Sequence, residues 1–221
     1  MTASPSGVER LAFLYCLTAI DQDEVDRAKG SQLVFPKDNP HVSDTLSARE
    51  DWFETEAKKY DRFKRIVRVT LLCPPHECVS IHSPNEASVL SEMWEALTNY
   101  GVGGYREVAG WELQEGTWPT LINRSFVNGV PIPPWAKHDL SRKWPSVQLH
   151  DVSQIYRAGA SNYHRPLPKL EHVLQFWLGT EFPCEADLQN TASVFPARET
   201  LKDQTCQYVD GMCRAVARYI Q

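Results

Sequence analysis

The chain has 221 residues and a mass of 25.2 kDa, a length that fits one α/β domain or one domain with an insertion. With 42% hydrophobic and 23% charged residues it reads as ordinary globular material, with no compositional signature of disorder. A net charge of −5 argues against a dedicated nucleic-acid coat protein but leaves room for a local basic groove.

Val8–Thr18 is an apolar run rich in strand formers, the pattern of a strand buried on both faces. The longest apolar stretch, Leu11–Ile20, is ten residues, whereas a membrane span needs roughly 20. A signal-peptide core behind Arg10 is the competing reading. It is opposed by Tyr15 and Cys16 within the stretch and by the lack of an Ala-x-Ala site after it. The expectation is therefore a cytoplasmic protein with no membrane contact. Its six cysteines (16, 73, 78, 184, 206 and 213) are expected as reduced thiols, mostly in the core.

Asp21–Asp44 is polar and broken by Gly30, Pro36 and Pro40, so it reads as loop. Ala48–Tyr60 has helical spacing, with acids preceding Lys58 and Lys59 as the helix dipole favours. Together, positions 21–64 form an insertion in a single domain spanning 1–221. Arg65–Cys73 and Cys78–His82 flank Pro74-Pro75-His76-Glu77 and predict two strands joined by a tight turn. Ser83-Pro84-Asn85-Glu86 is a start signal for a helix with Leu90, Met93, Trp94 and Leu97 on one face.

Arg106–Trp111 predicts a short strand, and Thr117-Trp118-Pro119 opens a helix that closes near Asn128-Gly129. Pro131–Ser146 is a Pro- and Trp-rich loop, and Val147–Ile155 passes from strand or turn into a short helix. Leu170, Val173, Leu174 and Trp177 mark a helix stopped at Gly179. Arg198–Ile220 is the last helix, with Leu201, Val209, Met212, Val216 and Ile220 as its core stripe. Strands first and helices later imply a mixed β-sheet covered by α-helices, an α/β fold.

Three local constellations invite chemistry. Cys73, His76, Cys78 and His82 supply four N/S groups of the kind zinc takes, but the single residue between His76 and Cys78 is short for a structural site. Exposed turn residues are the plainer reading. Lys58–Arg68 carries six basic residues against one acid, with Tyr60 and Phe63 interleaved. Lys58, Lys59, Arg62, Lys64 and Arg65 are thus candidates to track a phosphate backbone, and a solvated helix face is the alternative. Lys137, Arg142 and Lys143, beside Trp135 and Trp144, form a second candidate nucleic-acid surface. Gly101-Val102-Gly103-Gly104 precedes a strand, not a helix, and reads as a turn and not a phosphate loop.

The ordered series of motifs resembles the predicted 3′–5′ exonuclease family related to the proofreading domain of family-B DNA polymerases, among the DEDD exonucleases. The likeness runs from about Leu11 to Ile220. Asn85-Glu86, Leu90 and Met93-Trp94 resemble that family's "sE..lL..fW" helix. Gly110-Trp111-Glu112, Trp118-Pro119, Leu121, Arg124, Gly129, Ile132-Pro133 and Trp135 resemble its "GfN…fDlPvL..R….Gi.iP.w" segment. His150-Asp151-Val152 resembles "h.Dlmd", and Leu167–Gly179 resembles "sLd.la..lG".

The resemblance implies a ribonuclease-H-like fold and, in active members, two divalent metals about 4 Å apart held by carboxylates. Position by position, the carboxylates are missing. The first-strand "FDiET" falls on Leu14–Thr18, which puts Tyr15 at the Asp and Leu17 at the Glu. Thr117 stands at the second Asp, with Glu112 where the family has Asn. The last motif, "YCe.DV", falls on Thr205–Asp210 and puts Val209 at its Asp. Tyr15, Leu17, Thr117 and Val209 cannot neutralise two divalent ions, so the expectation is a pseudoenzyme with no cofactor and no bound metal.

Two functions follow from that expectation. One is binding of single-stranded nucleic acid or a duplex end without cleavage. The other is a scaffolding role beside a protein partner in a multi-subunit assembly. The third reading is an active exonuclease whose carboxylates have moved, drawn from Asp21, Asp23, Glu112, Asp151 and Asp210.

Overall fold

The computed structural model describes residues 7–21, 23–26, 64–137, 147–159, 167–194 and 199–220. Five strands form one sheet: β1 (Leu11–Ile20), β2 (Lys64–Leu72), β3 (Val79–His82), β4 (Glu107–Gly110) and β5 (Leu149–Asp151), in the order β3-β2-β1-β4-β5. The apolar first strand is therefore central. β1 pairs with β4 in parallel (Leu11↔Glu107 to Leu14↔Gly110), as does β4 with β5. β2 and β3 form the expected antiparallel hairpin, Arg68↔His82 to Leu71↔Val79.

Six labelled helices complete the described elements: α1 (Glu86–Asn99), α2 (Trp118–Val127), α3 (Ser153–Gly159), α4 (Leu170–Leu178), α5 (Glu185–Val194) and α6 (Glu199–Ile220). α1 begins where the sequence signals it, since the Asn85 side chain accepts the Ala87 N–H at 2.9 Å. α4 stops at Gly179, whose φ of +69° gives the left-handed cap. α5 was not expected from the sequence.

Side chains alternate across β1. Ala12 and Leu14 join Val69, Leu71 and Val108 in a core closed by Leu90, Met93 and Leu97 of α1 and Trp118 and Leu121 of α2. Leu11, Phe13, Tyr15 and Leu17 point to the other face, which α6 covers. Trp135 leans edge-on against Trp94, with ring centroids 5.9 Å apart. A Cβ on Gly103 would come within 2.3 Å of the Trp135 ring, so this left-handed turn position needs glycine on two counts.

One charged cluster lies within the α1–α2 packing. Glu86 and Arg124 form a buried ion pair, and Glu86 also accepts from the Ile66 N–H at 2.7 Å and the Asn128 side-chain amide at 2.9 Å. All partners are hydrogen-bonded, which is the condition under which a buried pair is tolerated.

The chain divides into two compact units, Met1–Leu17 with Ile66–Gln221, and Thr18–Arg65. In the smaller unit a helical turn at 23–26 is capped by Asp21, whose carboxylate accepts the Glu24 N–H at 3.2 Å. The helix expected over Ala48–Tyr60 lies outside the described residues. The cysteine expectation requires correction: Cys78 and Cys206 form a disulfide across 128 positions, tying the start of β3 to α6. Cys16, Cys73, Cys184 and Cys213 are free thiols. No helix among the described residues is long and apolar enough to cross a membrane.

Candidate functional site

β1 and α6 build the centre to which the resemblance points. Tyr15 and Leu17 are two apart, so both project from the α6-covered face of β1. On α6, Leu201, Thr205, Tyr208, Val209, Met212 and Val216 are buried at helical spacing. Tyr15 meets Tyr208, the neighbour of Val209, in a stack with centroids 4.8 Å apart and planes 27° from parallel. Phe182 adds a third ring, 6.2 Å from Tyr208 and 21° from parallel. Gly211 makes room for it, because a Cβ there would lie 2.7 Å from the Phe182 ring.

Polar groups close the cluster. The Tyr15 hydroxyl donates to Glu185 Oε1 at 3.1 Å, and the Tyr208 hydroxyl donates to the Pro183 carbonyl. Glu171 Oε1 accepts the Glu185 N–H at 3.4 Å, while its Oε2 is buried without a hydrogen-bond partner. Thr205 accepts from Thr70 of β2 at 2.8 Å and donates back to the Leu201 carbonyl. Leu17 and Val209 are fully buried.

The electrostatics follow from burial. Desolvation raises the Tyr15 hydroxyl well above its ordinary range, and the charge of Glu185 adds to the shift. Tyr208 is raised for the same reason, with Glu171 and Glu185 contributing. Desolvation also raises Glu185. The Tyr15 hydrogen bond opposes that shift, and the charges of Glu171 and Glu112 reinforce it. Both phenols are therefore neutral at physiological pH and present no anionic oxygen to a cation.

Three of the five carboxylates considered as relocated ligands have partners of their own. Asp210 is exposed and pairs with Arg214 one helical turn on, at 2.9 Å. Asp151 caps α3, accepting the Ser153 N–H at 3.0 Å and the Gln114 N–H at 3.4 Å. Asp21 caps its own turn. Glu112 is exposed, in a left-handed conformation with φ of +45°, and lies within electrostatic reach of Glu185. Thr117 ends a π-helical turn over Leu113–Thr117, and its hydroxyl donates to the Trp111 carbonyl at 3.4 Å. Among the described residues, no three His, Cys, Asp or Glu side chains are placed to hold a metal ion. Cys78, bonded to Cys206, is not available to the zinc set with Cys73, His76 and His82.

Of the nucleic-acid candidates, Lys64 and Arg65 open β2 and are half-buried. Trp135 is half-buried in the Trp94–Trp118 cluster, with its indole N–H 3.3 Å from Thr98 Oγ1. Lys137 is exposed. Lys58, Lys59, Arg62, Arg142 and Lys143 lie outside the described residues.

Sequence reasoning missed Glu171, Phe182 and Glu185. They belong to α4, to the connection from α4 into α5, and to the first turn of α5, none of which carries a catalytic motif. Tyr208 had a visible signal, the helical stripe it shares with Thr205 and Met212.

No family model and no curated protein matches the sequence. Among solved structures, the family B DNA polymerase from the hyperthermophilic archaeon Pyrobaculum calidifontis superposes with a TM-score of 0.55 over 98% of this chain, at 10% identity. The chain covers 25% of that polymerase. At this identity the likeness shows the fold alone. The mixed five-stranded sheet flanked by helices is an α/β fold of the ribonuclease-H-like class, as expected from the sequence.

Proposed function

We propose that this chain is a non-catalytic relative of the exonucleases it resembles, and that it acts as a scaffolding subunit through protein contacts. The observation that carries the reading is the Tyr15–Tyr208 stack, which occupies with two neutral rings the place where the resemblance puts the first metal carboxylate. Two-metal phosphoryl chemistry needs several anionic oxygens converging on that point. Leu17 and Val209 are fully buried hydrocarbon at two further ligand positions, and Asp210 turns outward to Arg214. The nearby acids Glu112, Glu171 and Glu185 oppose entry of a phosphate backbone, which favours protein contacts over nucleic acid.

The second reading rests on the likeness to a DNA polymerase. In it the chain binds a single strand or a duplex end without cutting, through Lys58, Lys59, Arg62, Lys64 and Arg65. One experiment addresses both. Purified chain with Mg²⁺ or Mn²⁺ should leave end-labelled single-stranded DNA and RNA intact. Metal-dependent degradation that disappears in Asp210→Asn or Asp21→Asn would overturn the non-catalytic reading. In the same samples, binding that falls steeply with salt and is lost when the five basic residues are neutralised would select the nucleic-acid reading. The scaffolding reading expects no strand binding, and a stable protein complex recovered from the native host.

A further inference from the structure

Arg106 stands immediately before β4 and is only 6% exposed. Its Nη2 donates to the Pro74 carbonyl at 3.0 Å, but Nε and Nη1 are buried with no hydrogen-bond partner. Among the described residues no carboxylate pairs with it. Arg124, buried to a similar degree, meets Glu86 through both Nε and Nη2. A guanidinium keeps its charge in proteins, and a buried charge is ordinarily matched by an opposite one. Arg106 departs from that rule.

Two turns surround it, 73–78 between β2 and β3 and 101–106 between α1 and β4, and neither supplies the missing anion. Burial pushes the Cys73 thiol up to about 11, against the opposing charge of Arg106, so the thiol is neutral at physiological pH. Desolvation also raises the Tyr100 phenol, which lies within electrostatic reach of Cys73 and Arg106 and is left as a hydroxyl donor. Glu107 follows Arg106 in the chain, but its carboxylate contacts His150. Glu77 is exposed on the hairpin turn and makes no ion pair with Arg106.

The Tyr105 ring closes the site. Its centroid lies 5.5 Å from Arg106 Cζ, and the side chain is 60% exposed. The ring lies on Gly101, where a Cβ would come within 2.4 Å of it. An exposed side chain changes rotamer in picoseconds to nanoseconds, so this cover opens without movement of the backbone.

We propose that Arg106 anchors a binding site for a small phosphate-type oxyanion, which enters as Tyr105 swings aside and accepts hydrogen bonds from the guanidinium and the Tyr100 hydroxyl. The site is independent of the Tyr15–Tyr208 centre and of the function proposed above. Guanidinium–phosphate hydrogen bonds are charge-assisted, and a low local dielectric strengthens them. Phosphate has enough oxygens to give the guanidinium two and the hydroxyl a third, whereas a carboxylate has two in all.

The test uses the whole chain, read by titration calorimetry and melting temperature. The probe is sodium phosphate, compared with sodium chloride and sodium acetate at equal ionic strength. Phosphate should bind saturably at one site per chain and raise the melting temperature. Chloride should do neither, and acetate should bind more weakly. Arg106→Met should weaken phosphate by about tenfold to a hundredfold, the scale of hydrogen bonds to a charged group. Tyr100→Phe keeps the ring and should weaken it by about threefold to tenfold. Tyr105→Ala removes only the cover and should bind phosphate at least as tightly as the parent. Phenyl phosphate, titrated beside inorganic phosphate, separates the two sources of the group, since the tighter of them tells whether the site takes an ester or the free ion. A parent chain without saturable phosphate binding would overturn the assignment, whichever variants fold. So would acetate binding as tight as phosphate, or phosphate affinity unchanged in a folded Arg106→Met. Weaker binding in Tyr105→Ala would overturn the role of the ring as a cover.

Discussion

Glu185 receives the Tyr15 hydroxyl, yet its carboxyl is harder to ionise than one in water. Desolvation is the main cause, and the charges of Glu171 and Glu112 push the same way. A folded-state pKa above the ordinary 4.5 means that the folded chain holds this proton more tightly than the unfolded chain. The associated stability is complete below the ordinary value and is lost as pH rises through the raised one. Glu185→Gln keeps an acceptor for Tyr15 but cannot ionise. Its melting temperature at pH 7 should therefore equal or exceed that of the parent chain, and the gap should close at about pH 4, where both side chains are neutral. A variant that melts lower at pH 7 than at pH 4, relative to the parent, would show that the ionised carboxylate is the stabilising form.

At the scale of elements, the Glu86–Arg124 pair locks α1 to α2 and, through the Ile66 N–H, to β2. Arg124→Met leaves Glu86 buried without its cation and should cost about 3–5 kcal/mol in urea unfolding. The double variant Glu86→Leu/Arg124→Met should recover part of that loss, but not all, because the Ile66 N–H loses its acceptor. Additive losses would argue that the two side chains act separately. Both residues stood in matching motifs in the sequence, but nothing in their spacing said that they meet 38 positions apart. Elements with strong periodicity were legible. β1 followed from its apolar run and α1 from Leu90, Met93, Trp94 and Leu97. α5 escaped because Leu188 and Ala192 are its only fully buried side chains among those described, so no stripe announces it. The same weakness hid half of the candidate site. Tyr15 and Leu17 on β1 could be singled out through the resemblance, but Phe182, which stacks on Tyr208, and Glu185, which accepts from Tyr15, arrive from a connection and a polar helix without motif or period.

Across the molecule, the Cys78–Cys206 disulfide closes 128 positions and joins the β2–β3 hairpin to α6. Sequence spacing could not reveal it, since two distant half-cystines carry no local pattern. Cross-linking a loop of this length restricts the unfolded chain by about 4–5 kcal/mol on the chain-entropy account. It also holds α6 beside the sheet one residue from Thr205, whose hydroxyl bonds Thr70, and two from Tyr208, which stacks on Tyr15. The remaining thiols differ in kind. Burial pushes Cys16 up to about 12 and Cys73 and Cys213 to about 11, so none of the three is a ready thiolate to exchange with the pair. Cys206→Ser should therefore lower the unfolding free energy by about 4 kcal/mol. Reduction by dithiothreitol should lower the melting temperature of the parent chain and leave that of Cys206→Ser unchanged. If the disulfide also seats α6, reduction below the melting point should weaken the near-ultraviolet dichroism of the stacked tyrosines. A parent chain whose melting and dichroism are both insensitive to reductant would mean that helix packing alone positions Tyr208 over Tyr15.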